Sequence, residues 1–224
     1  MQQSGNAGDT GAVSVSPFKG PYANLLRFSF FNASTFLIGL GTPLVLFASE
    51  LGATSFEVGL IYSFVFLLLP VQIIATGFIP IIGYKKQIML AWIARGSSLL
   101  IPLYLSFLAP EEPTRWMVHA LILSSFLFCL FRTFGSCALP PMMYAILPDS
   151  IRGRYFSTDQ AITGLAGIMI LLVFSLLFKF AATYTAFLWQ YSYALFAVIM
   201  TLFFMSRVAD PPRPKHTSIK EIAI

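Results

Sequence analysis

Two arginines, Arg95 and Arg132, sit inside long stretches that otherwise lack charge, and they have the most chemistry to offer of any residues in this sequence. An ionised side chain at the centre of an apolar layer costs from about 2.5 kcal/mol upward, so one that is kept there marks a ligand, a coupled ion or a polar partner. Arg95 lies about seven residues into its apolar run, roughly 10 Å of helix rise, and its long side chain reaches back toward a polar interface. For Arg95, packing and function are equally good readings. Arg132 belongs to a pattern. Ser125, Cys129, Arg132 and Ser136 are spaced by four, three and four residues, which is one face of a helix. A polar stripe of that kind must face protein or a water-filled cavity.

Asn32, Thr35, Gly39 and Thr42 form a second, weaker face, where small residues suit close helix packing, the favoured reading. Gln72 adds an amide to another uncharged run. Asn32, Gln72, Arg95 and Arg132 are the candidate substrate-binding set. Lys85, Lys86, Arg152, Arg154 and Asp159 form a second group, expected at the ends of apolar runs. Asp159 is expected just ahead of a helix, where an acid favours the helix dipole and pairs with Arg152 or Arg154; this capping role is preferred over proton coupling. The four basic residues read as topology determinants and gate contacts. His119 and His216 read as polar anchors. Cys129 and Cys137 are too far apart along one helix to bridge each other. No metal site or cofactor is implied.

The elements that carry these residues follow from composition. Of 224 residues, 57% are hydrophobic and 10% charged, against about 25% charged in a soluble domain, and the mean hydropathy is +0.79. Six stretches approach the 20 or so apolar residues a transmembrane helix needs: Phe28–Ala48, Val58–Ile82, Ile88–Leu108, Met117–Leu139, Gln160–Phe178 and Tyr184–Ser206. The predicted organisation is a disordered polar leader (1–22), a six-helix transmembrane bundle (23–208) and a polar tail (209–224). Ten of the 14 Lys and Arg residues fall in the leader, the tail and the second and fourth connections, whereas Arg115 and Lys179 fall on the other side. Basic residues are retained on the cytoplasmic side, so both termini are expected there, in a bacterial inner membrane. The net charge of +5 is thus a topology signal, and no nucleic-acid partner is expected.

Between the fourth and fifth runs lies Leu147-Pro-Asp-Ser-Ile-Arg-Gly-Arg-Tyr-Phe-Ser157, and before the second lies Glu50-Leu-Gly-Ala-Thr-Ser-Phe-Glu-Val-Gly-Leu60. With Arg152-Gly153-Arg154 in a connection of this kind, the chain resembles the N-terminal six-helix half of a major facilitator superfamily transporter over roughly Pro21 to Pro212. The signature turn of that superfamily between helices two and three is only partly present: Gly83, Lys85 and Lys86 match, while Thr76 and Pro80 stand in its Gly and Asp places. Arg132 and Gly135 lie close to an Arg and Gly element of helix four, one residue short in spacing. Helix five has Gly164 and Gly167 but no Gly-Pro pair, so the drug and proton antiporter signature is absent. The resemblance implies that helices one and four line a cavity, and that a small solute binds between two six-helix halves that rock about it. One bundle cannot do this alone. The expected partners are therefore the lipid bilayer, a small-molecule solute, and a second copy, a second six-helix half or a larger membrane complex.

Other classes fit less well. No Ser and His pair suits an intramembrane protease; Pro148-Asp149-Ser-Ile-Arg152 occurs once and lacks a residue of the mitochondrial carrier repeat; paired Asn-Pro-Ala turns and a Gly-rich phosphate loop are missing. Enzymatic function is not expected. The competing expectations are a non-transporting scaffold or assembly subunit, favoured by Thr76 and Pro80, and a truncated transporter half.

Overall fold

The computed structural model describes residues 21–108 and 113–212. Residues 1–20 of the expected leader, Glu111 and Glu112, and the tail from residue 213 lie outside the described residues. Pro21 and Tyr22, assigned from sequence to the leader, already belong to the first helix.

All regular structure among the described residues is helical, in eleven segments. They are α1 (Pro21–Leu40), α2 (Thr42–Glu50), α3 (Ser55–Leu67), α4 (Leu69–Thr76), α5 (Ile79–Ile82), α6 (Tyr84–Ser98), α7 (Leu100–Leu108), α8 (Arg115–Ser136), α9 (Leu139–Ile146), α10 (Asp149–Phe180) and α11 (Thr183–Ser206). Joined end to end where they are continuous, they make six spans long and apolar enough to cross a membrane: Tyr22–Glu50, Ser55–Thr76, Tyr84–Leu108, Arg115–Ile146, Asp149–Phe180 and Thr183–Ser206. These lengths and compositions are those of an integral multi-pass membrane protein. Large apolar side chains accordingly point outward, among them Phe66 and Ile73, each more than 70% exposed.

Proline sets the breaks. Pro43, Pro70, Pro102 and the pair Pro140-Pro141 each follow an interruption within a span by two or three residues. A proline has no N–H to offer the carbonyl four residues back, and its ring clashes with that carbonyl. α10 and α11 contain no proline and run unbroken. Pro80 ends the second span at Thr76, short of the predicted Ile82, and leaves α5 as a separate turn. Gly83, at φ 89°, then reverses the chain into α6, a conformation that only glycine adopts without strain.

Side chains serve carbonyls at these breaks and near helix ends. Ser98 O, which Pro102 cannot serve, accepts from Ser124 Oγ at 2.7 Å. Gln87 is fully buried; its Nε2 donates to Ala75 O (2.9 Å), near the end of α4, and to Phe134 O (3.0 Å), near the end of α8.

The fifth helix begins at Asp149 and not at Gln160, which corrects the expected boundary. Its first turns are polar, but Ile151 and Tyr155 are buried and anchor them. Arg152-Gly153-Arg154 therefore lies on a helix rather than in a turn.

Buried side chains form two clusters. One contains Ile38, Phe47, Leu105, Phe128 and Tyr191, and the other Phe28, Trp92, Met142, Tyr155 and Met205. Lys85 Nζ donates to Ser206 O and Val208 O, both at 2.7 Å, so the third span begins where the sixth ends. At the opposite face Arg115 bonds Glu57 Oε1 (2.9 Å) and Gly52 O (3.2 Å), while Glu57 and Thr54 cap α3 reciprocally.

Candidate functional site

A cavity of about 450 Å³ opens between α1, α6, α8, α9 and α10, and Asn32, Arg95, Arg132 and Asp159 all line it. Each lies deep in its span. Arg95 follows Tyr84 by eleven residues and Asp159 follows Asp149 by ten, or ~15 Å of helix rise in either case.

Arg95 is 1% exposed. Its Nη2 donates to Asn32 Oδ1 at 2.9 Å, and the same oxygen accepts from Trp92 Nε1 at 3.0 Å. The guanidinium lies over the Trp92 ring (4.5 Å to the centroid) and the Phe128 ring (5.2 Å), one from each buried cluster. Charge held against ring faces is stabilised by the aromatic quadrupole, more so away from water. Arg95 Nε is buried with no hydrogen-bond partner.

Arg132 is half-buried, with its guanidinium 4.6 Å from the centroid of the Phe36 ring. Among the described residues it makes no hydrogen bond and no ion pair, so its donor edge is unspent. Ser136 lines the same cavity, whereas Ser125 and Cys129, the first two members of the stripe, are packed into the core. Ser125 Oγ donates to Leu121 O.

On α1, Asn32 faces the cavity, and Thr35 is buried and bonded to Phe31 O. Gln72 does not join the others: it is half-buried on α4, outside the cavity lining.

The second group separates as well. Asp159 is no helix cap, since it stands ten residues inside α10; it lines the cavity together with Thr163 and Gly167 at four-residue steps. It lies beside Ser29 and Tyr155, and its Oδ1 and the Tyr155 hydroxyl are buried with no hydrogen-bond partner. Arg152 pairs with Asp149 (2.6 Å) and donates to Tyr144 O and Leu147 O, tying α9 to α10. Lys86 and Arg154 are exposed.

Sequence reasoning missed Trp92, Gln87 and Tyr155. Gln87 carried little signal, an amide directly after Lys85 and Lys86 and just ahead of an apolar run. Trp92 carried none, because its role depends on Gly135. A side chain at Gly135 would run into Ala91 and Trp92, and the bare backbone of α8 brings the indole edge against Asn32. No protein-family model, curated protein or solved structure matches the chain.

Proposed function

We propose that this bundle is one half of a transporter of the major facilitator kind, moving a small solute across a membrane by alternating access. It works as a homodimer or with a second six-helix half, both termini on the cytoplasmic side of a bacterial inner membrane. The observation that carries the reading is the polar cavity among the spans. Its walls include the first and fourth spans, the pair that line the cavity in the superfamily the sequence resembles, and it gathers Asn32, Arg95 and Arg132. Intramembrane charge on a cavity wall is the usual mark of a solute or ion pathway.

Two-sided accessibility tests this. In full-length protein carrying Cys129→Ala and Cys137→Ser, Thr163→Cys places one thiol on the cavity wall. Reconstituted into liposomes, that thiol is expected to react with a membrane-impermeant maleimide added from either side. Reaction from one side only, or from neither, would count against alternating access. It would favour the second reading, a non-transporting scaffold or assembly subunit, which Thr76 and Pro80 support by departing from the superfamily's signature turn.

A further inference from the structure

We propose that the cavity takes a small organic monoanion, a carboxylate on an apolar body; this rests on the transport reading for its biological role but not for the binding itself. Hydrogen-bond capacity is the first argument. The acceptor of Asn32 is used twice, by Arg95 and Trp92. Among the described residues, the groups left without a hydrogen bond that can only donate are the Arg132 guanidinium, Arg95 Nε and the Asn32 amide nitrogen, against one that can only accept, the Asp159 carboxylate; the Ser29 and Thr163 hydroxyls can do either. An ionised carboxylate is acceptor-only and complements that excess.

Charge is the second. Two guanidiniums and one carboxylate leave the lining at +1, and an arginine does not discharge by losing its proton. Isolated charge in an apolar layer is costly, so one further negative charge is favoured over none or two.

Shape is the third. Arg132 lies over the Phe36 ring and makes no hydrogen bond among the described residues, so its N–H groups are free, and a guanidinium edge binds a carboxylate through two parallel bonds. Phe28, Leu37, Leu139 and Met143 supply apolar wall for the rest of the molecule. A volume of about 450 Å³ suits a ligand of small-molecule size.

Benzoate, benzamide and benzamidine share a ring and differ in charge, and Trp92 reports from the site. In full-length protein carrying Trp116→Phe and Trp189→Phe, Trp92 is the remaining indole. Titrated in detergent, benzoate is expected to change its emission and to bind at least about tenfold more tightly than benzamide, the discrimination one charge-assisted hydrogen bond supplies. Arg132→Gln is expected to remove that preference, and Arg132→Lys to restore part of it. Equal binding of benzoate and benzamide, preference for benzamidine, or no response to benzoate would overturn the proposal, and these comparisons need no variant at the site. Failure here with two-sided labelling of Thr163→Cys removes the anion and leaves transport; benzoate binding with one-sided labelling does the reverse.

Discussion

The third and fourth spans each bring one arginine to the same cavity, and their surroundings treat the two differently. Arg95 on α6 is enclosed: two aromatic faces, an Asn32 acceptor and almost no exposed surface. Arg132 on α8 has one aromatic face and an open donor edge. The enclosed guanidinium joins the two buried clusters and orders Asn32, which in turn orders Trp92. The open one is left with capacity that the protein does not use. A shared residue type in a shared setting thus divides into a part that builds the wall and a part that keeps its donor edge open.

The sharpest way to break this comparison is at Arg95. Arg95→Ala removes a charge-assisted hydrogen bond worth about 1.5–3 kcal/mol and two ring contacts of about 0.5–2 kcal/mol each, offset by the relieved cost of a buried charge. A net loss of about 3 kcal/mol is expected, read as a lower thermal midpoint in detergent. Arg95→Met refills the volume without the charge and is expected to recover much of that stability. If alanine is as stable as the natural protein, Arg95 holds nothing together and the two arginines are alike.

A second, smaller effect separates two glutamines and bears on what was legible beforehand. Gln87→Leu strips Ala75 O and Phe134 O of a shared donor and is expected to cost about 2 kcal/mol. Gln72→Leu, on a half-buried position away from the cavity, should stay within about 0.5 kcal/mol. Thermal unfolding of the two variants side by side checks the ranking, and a reversed order would mean that Gln72 has a buried partner.

Hydropathy alone chose Gln72, because it reports that an amide lies in an apolar run but not which way it faces. The six spans were legible for the same reason, since bilayer thickness fixes their length. Their ends were less so. The fifth began at Asp149 because Ile151 and Tyr155 continue the buried face later carried by Ala166, Ile170 and Phe174, a four-residue rhythm that polar neighbours hide from a hydropathy window. Following that rhythm places Asp159 on the interior face. The Asn32, Trp92 and Arg95 network was not legible in any single run, since it needs side chains of α1 and α6 to meet inside the bundle and the bare Gly135 behind the indole.

The smallest expected effect on stability falls on Arg132. Arg132→Gln gives up one ring contact and a charge that is already half solvated, with no hydrogen bond or ion pair among the described residues to lose. Dehydrating a guanidinium is unfavourable and its stacking on Phe36 is favourable, so the two changes oppose each other, and a net shift below about 1 kcal/mol is expected. Melting the variant in detergent beside Arg95→Ala measures the contrast on one scale. A loss for Arg132→Gln as large as that for Arg95→Ala would mean that the open edge is engaged in holding the bundle together, and the cavity would then lose its strongest claim to be a place where something else binds.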